Sequence, residues 1–213
     1  EMQQHGVEFA NHSKSHDSLV QGKHESFNAW KNRVQQEIET AQRRLQQELG
    51  TETNHDKLFS YPYGEYSQNL VELVAEMGYT AVAQNSGAVG YVSDLRALMR
   101  FPMSEAYAKL SAFELKVNAQ VLPITKVMPV DPVVSINPPV LQLFFDRPQS
   151  GIQCFNHKGE RLNQTWITPL VLQIQDKQPL APPRDRYACT QPTKNGQWRW
   201  FSHSWVLTPT NPY

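Results

Sequence analysis

Two histidines four residues apart, His12 and His16, are the residues whose type and spacing first suggest chemistry. Neutral imidazole is the commonest protein ligand for a divalent metal. Two at this spacing grip one ion when a loop or a first helical turn brings both rings to one side. Unrelated surface histidines show the same spacing, so the surroundings decide. Upstream, Gly6-Val7-Glu8-Phe9-Ala10 alternates apolar and polar side chains and reads as a buried strand opening into a loop at Asn11. The two imidazoles are then delivered at a strand end.

The elements that must position them follow in order. Over residues 26–49, Trp30, Val34, Ile38, Ala41, Leu45 and Leu49 recur at steps of three and four, with Lys31, Arg33, Gln35, Glu37 and Arg43 on the other face. This predicts a long helix capped by Ser26 and stopped by Gly50, with Trp30 in the core. A polar loop is expected over 51–56, a strand over 57–61, a turn over 62–67, a helix over 68–77 and a strand over 79–84. Strands alternating with helices indicate parallel βα units, whose active sites collect at the carboxyl ends of the strands. That rule places His12, His16 and Tyr63 on one rim, with the loop of residues 85–90 beside them. Arg100-Phe101-Pro102-Met103 follows what reads as a short helical stretch.

The ordered strings Asn11-His12-Ser13-Lys14-Ser15-His16, Tyr61-Pro62-Tyr63-Gly64 and Met77-Gly78-Tyr79-Thr80-Ala81-Val82-Ala83 together resemble the polysaccharide deacetylases, the NodB-homology group called carbohydrate esterase family 4. The resemblance covers roughly residues 1–105. It implies an α/β fold, here a partial (β/α) barrel, and one divalent ion, most often zinc, held by two histidines and an aspartate. The implied reaction is hydrolysis of the N-acetyl C–N bond of an N-acetylglucosamine-containing polysaccharide, with acetate released. His12 and His16 match the family's histidine ligands. Tyr63 matches the residue whose backbone N–H stabilises the oxyanion, and Pro62, Tyr63 and Gly64 match the motif that walls the substrate groove; Arg100 lies in a region that often lines the groove in the family and reads equally as a structural salt-bridge residue.

The sequence departs from the family pattern at three places. Nowhere are two aspartates adjacent, so the Thr-Phe-Asp-Asp-Gly motif that supplies the base and the third ligand is absent. No leucine has a histidine three residues on, which removes the family's general-acid motif. Ser60 stands where many members carry arginine before Pro-Tyr-Gly. The chain is therefore expected to be a carboxyl-terminal portion of an enzyme, completed by an upstream fragment or by homo-oligomerisation. The alternative is a non-catalytic glycan-binding or assembly protein on a deacetylase scaffold. Asp17, beside His16, reads equally as a partner that orients an imidazole or as a turn residue.

From residue 117 the texture changes: prolines become frequent and short β-rich runs appear over 140–145, 151–156, 165–175, 186–190 and 198–207. Lys158-Gly159 and Asn195-Gly196 supply turn signals. The expected organisation is a barrel domain over 1–116 and a small all-β sandwich over 117–213, the latter a candidate carbohydrate-binding domain. Trp198 and Trp200 share one face of their strand, as core residues or as a sugar platform. The two cysteines, Cys154 and Cys189, both read as strand residues; they form either a bridge across the sandwich or two buried thiols.

With 20 basic and 20 acidic residues in 213, no global field favours nucleic acid. No apolar run approaches the roughly 20 residues that span a bilayer. A disulfide together with a polysaccharide substrate points to an exported protein, periplasmic or extracellular.

Overall fold

The structure, a computed structural model, describes residues 2–50, 57–91, 93–104 and 108–207. The loop expected over 51–56, with His55, lies outside them. The described residues divide into two compact units, one of residues up to Ala83 with Asp94–Leu98, the other of Gln84–Ser93 with residues 99–207.

In the first unit, helix α1 (Phe27–Leu49) starts where the Ser26 hydroxyl accepts the Ala29 backbone N–H at 3.3 Å, and ends at Gly50, whose φ of +84° suits glycine. Its buried stripe is Trp30, Val34 and Ile38, continued by Gln42 where Ala41 was expected. The step of four persists to the end of the stripe, so a polar side chain enters the core. Strand β1 (Leu58–Ser60), helix α2 (Gln68–Glu76) and strand β2 (Thr80–Val82) follow, with β1 and β2 paired in parallel. α2 buries Leu70, Val71, Leu73 and Val74. Single parallel bridges extend the small sheet, from Asn11 to Phe59 on one edge and from Leu98 to Val82 on the other.

The expected α/β partial barrel is not what forms. The parallel sheet has two strands of three residues each. The run expected as a buried first strand contributes only the Asn11 bridge, and Val7 is 44% exposed. The short helix expected before Arg100 is a turn at Leu95 and Arg96. Among the described residues only single bridges flank these two strands, too little pairing to curve a sheet into a barrel. The described chain is mostly β-structure with a sandwich-like arrangement.

That arrangement belongs to the second unit. After helix α3 (Leu110–Val117) come β3 (Gln120–Val121), β4 (Ile124–Met128), β5 (Val140–Phe145), β6 (Gln153–Phe155), β7 (Asn163–Thr168), β8 (Val171–Gln175), β9 (Arg184–Pro192) and β10 (Trp198–Val206). They make two four-stranded sheets, ordered β3-β10-β9-β6 and β4-β5-β8-β7. Alternate residues of β5, β8 and β9 are buried, the period of a sheet with one face on a core. Leu141, Leu143, Leu172, Ile174, Tyr187 and Trp205 are at the centre of that core. The run expected over 165–175 is a hairpin, β7 and β8, turned at Pro169 and Leu170.

Cys154 and Cys189 are disulfide-bonded, and they sit directly opposite each other on the neighbouring strands β6 and β9 of one sheet. The bridge therefore staples a sheet internally and does not cross between sheets. The loop of residues 85–90, expected on a catalytic rim, lies on β10: the Ser202 hydroxyl donates to the Ser86 carbonyl at 2.7 Å, and Ser204 hydrogen-bonds Asn85. Among the described residues no helix is long and apolar enough to cross a membrane.

Candidate functional site

The loop carrying His12 and His16 is anchored at its start by Asn11, which is 1% exposed. Its backbone joins β1: the Asn11 N–H donates to the Leu58 carbonyl and the Ser60 N–H to the Asn11 carbonyl, both at 2.8 Å. Its side-chain amide donates to the Ile38 carbonyl at 2.9 Å and to Gln42 Oε1 at 3.2 Å, while its oxygen accepts the Ser13 N–H at 3.0 Å. Gln42 Oε1 also accepts the Tyr79 hydroxyl at 3.1 Å. Burial raises the pKa of that hydroxyl and so keeps it a donor. One buried amide thus registers the loop against both sheet and helix.

The middle of the loop is held by Glu37 of α1. Its Oε2 accepts the backbone N–H groups of Lys14 at 3.1 Å and Ser15 at 2.9 Å. The Ser15 hydroxyl is 2.9 Å from the same oxygen and 2.7 Å from Asp17 Oδ2, so one proton serves two acceptors. Beyond the loop, the buried Ser18 hydroxyl donates to buried Glu65 at 2.6 Å, tying the histidine loop to the Pro-Tyr-Gly turn. Further along, Arg33 grips Glu25 through Nε at 2.8 Å and Nη2 at 2.9 Å. This hydrogen-bonded guanidinium holds the Glu25 carboxyl below the ordinary carboxylate range.

These anchors bring the sequence-predicted residues together. The rings of His12 and His16 meet edge-on with centroids 4.7 Å apart, and His16 meets Tyr63 at 4.5 Å. His12 Nδ1 is 2.7 Å from the Ser60 carbonyl oxygen. A carbonyl only accepts, so Nδ1 carries the proton, and in the neutral ring Nε2 then holds the lone pair, the tautomer that a metal ligand needs. Ser60 thereby contributes through its backbone, at the position where the family often has an arginine.

Pro62 and Gly64 are buried in a one-turn 3-10 helix in which the Gly64 N–H donates to the Tyr61 carbonyl at 2.8 Å. Tyr63 interrupts it at φ +57° and is 39% exposed. Among the described residues the non-glycine positions at positive φ are Ser13, His16 and Tyr63, at +63°, +62° and +57°. Each costs about 1–3 kcal/mol and persists where surrounding contacts over-determine it. All three fall within the two motifs. Tyr61, below them, is buried and donates its hydroxyl to the Arg96 carbonyl at 2.8 Å; burial raises its pKa.

Arg100 belongs to the second unit, with its backbone N–H on the Asn85 carbonyl at 2.9 Å. In that unit Trp200 meets Phe101 edge-on at 5.4 Å, whereas Trp198 is 39% exposed. Trp198 lines a groove of about 290 Å³ together with Glu114, Asn118 and Gln197.

His12 and His16 fit a divalent ion as two adjacent imidazole ligands, one with its donor lone pair fixed by hydrogen bonding. Among the described residues no three His, Cys, Asp or Glu side chains form a group able to hold a metal ion. Glu37, in particular, is occupied by the loop N–H groups. Sequence reasoning missed Glu37, which reads there as one of several polar residues on an exposed helix face. Its only signal is adjacency to Ile38 on the buried stripe.

The chain matches no curated protein. Among solved structures it is similar to CopC from Methylosinus trichosporium OB3b, with 13% identity, coverage of 42% of this chain and 96% of that one, and a TM-score of 0.30. It is similar also to selenomethionine PcoC, a copper resistance protein from Escherichia coli, with 13% identity, coverage of 40% and 98%, and a TM-score of 0.29. Neither likeness carries functional weight. Residues 1–82, the segment that holds both the His12–His16 loop and the Pro62–Gly64 turn, match the polysaccharide deacetylase family, consistent with a NodB-homology domain.

Proposed function

We propose that the first unit is the site of a metal-dependent deacetylation in which His12 and His16 supply two ligands to a divalent ion, zinc being the fitting choice for imidazole donors. The observation that carries the reading is the His12 Nδ1 contact with the Ser60 carbonyl, in a ring that meets His16, which in turn meets Tyr63. The deacetylase match over residues 1–82 supports hydrolysis of a C–N bond. The finer substrate is an N-acetylglucosamine-containing polysaccharide. A divalent ion bound there supplies Lewis acidity, lowering the pKa of water toward about 7 and polarising the acyl carbonyl.

The chain's own residues do the rest. Ser60 and Asn11 fix the tautomer and position of His12. The turn at Pro62 and Gly64 presents the Tyr63 backbone N–H as an oxyanion donor, a contribution of about 3 kcal/mol to the barrier when such a donor is well placed. The disulfide accords with an oxidising compartment, so the protein acts after export, in a periplasmic or extracellular setting.

The test is acetate release from N-acetylglucosamine oligomers, with His12→Ala as the comparison. Release that falls to background in the variant supports the reading. Undiminished release in the variant sinks it.

The second reading, a non-catalytic glycan-binding protein, is favoured by the lack of a three-donor cluster among the described residues and by the partly exposed Trp198 in its groove. Oligomer binding that His12→Ala leaves unchanged, with no acetate released by either protein, would select it.

A further inference from the structure

We propose that Glu37 is the positioning residue of the His12–His16 pair: its carboxylate, projected from α1, curls the intervening loop so that the two imidazole rings meet. The metal half of this inference rests on the proposed function; the ring geometry does not.

Four extended residues span about 13 Å, whereas the two ring centroids are 4.7 Å apart. The loop must therefore turn back on itself, and it does so through left-handed backbone at Ser13 and His16. Such a turn points successive N–H groups into one concavity, which attracts an anion. Here the N–H groups of Lys14 and Ser15 converge on one oxygen of Glu37, with the Ser15 hydroxyl on the same atom. The loop's internal contacts, Asn11 Oδ1 to the Ser13 N–H and Ser13 Oγ to the His16 N–H, set its two ends. The carboxylate of Glu37 fills its middle. Because α1 is fixed to the core by Trp30, Val34 and Ile38, Glu37 transmits the position of the rigid helix to the loop.

The experiment compares the whole chain with Glu37→Ala and Glu37→Gln by nuclear magnetic resonance of the histidine rings and by zinc titration. Alanine is the best helix former and Glu37 is only partly buried, so α1 is kept. Glutamine retains an amide oxygen able to accept both N–H groups.

The expected result is loss of the cross-peaks between the His12 and His16 ring protons in Glu37→Ala, with Trp30 and Tyr79 signals unmoved and the cross-peaks restored in Glu37→Gln. Zinc affinity falls about 10- to 100-fold in the alanine variant, the usual effect of removing a group that orients a ligand. Cross-peaks that survive in Glu37→Ala would overturn the proposal. Loss in both variants would also overturn it as stated, because the glutamine oxygen should suffice. If the parent chain takes up no zinc, that result counts against the metal reading, and the ring cross-peaks alone decide the role of Glu37.

Discussion

A single hydrogen bond, from His12 Nδ1 to the Ser60 carbonyl, turns an unremarkable histidine pair into a candidate ligand set, because it decides which nitrogen keeps its lone pair. His12, His16 and the Pro62–Gly64 turn were legible in the sequence because their order and spacing are a motif. Glu37 and the Ser60 carbonyl were not, since one acts across 22 residues from a helix face and the other through its backbone. His203 illustrates the opposite fate of an imidazole. It is 3% exposed, its Nε2 meets no hydrogen-bond partner among the described residues, and burial pushes its pKa down from 6.5 to about 4. The unfolded chain then binds a proton between those values while the folded chain does not. This contribution is fully present above about pH 6.5 and declines as pH falls toward 4, by on the order of 3 kcal/mol. Urea midpoints measured from pH 7 to 4.5 should fall with acid in the parent and fall less steeply in His203→Leu. Equal slopes would contradict the assignment.

At the scale of elements, α1 is readable because apolar residues recur at steps of three and four from Trp30 to Leu49, between a serine cap and a stopping glycine. α3 escaped because it buries no residue: Leu110, Phe113 and Val117 stand 80%, 49% and 65% exposed. The hairpin of β7 and β8 reads as one run because its short turn, Pro169-Leu170, has none of the glycine or asparagine that marks most two-residue hairpin turns. Helix α2 begins four residues after Gly64, so its first turn also bounds the candidate site. There the Ser67 hydroxyl accepts the Leu70 N–H at 3.2 Å. Ser67→Ala is expected to cost about 1 kcal/mol of stability, the usual value for a lost cap, read as a lowered urea midpoint with unchanged slope. An unmoved midpoint would mean that this contact does not cap the helix.

At the scale of the molecule, the sequence supports a β-rich carboxyl-terminal half, and the two four-stranded sheets are its physical form. The disulfide within the β6–β9 pair, joining residues 35 apart, contributes about 4 kcal/mol in the chain-entropy account. The barrel was overread, because alternation of strands and helices implies parallel pairing but does not count strands. Two short strands with a bridge on either edge satisfy the same pattern. What this small sheet does achieve is to bring the Asn11 loop and the Pro-Tyr-Gly turn together at the end of β1, where the chemistry is proposed.

The most direct test of that proposal is the zinc content of the whole protein, measured by plasma mass spectrometry after exchange into metal-free buffer, beside His12→Ala and His16→Ala. The account predicts close to one zinc per chain in the parent and loss of it in each folded variant. Zinc absent from the parent, or retained equally in both variants, would contradict it.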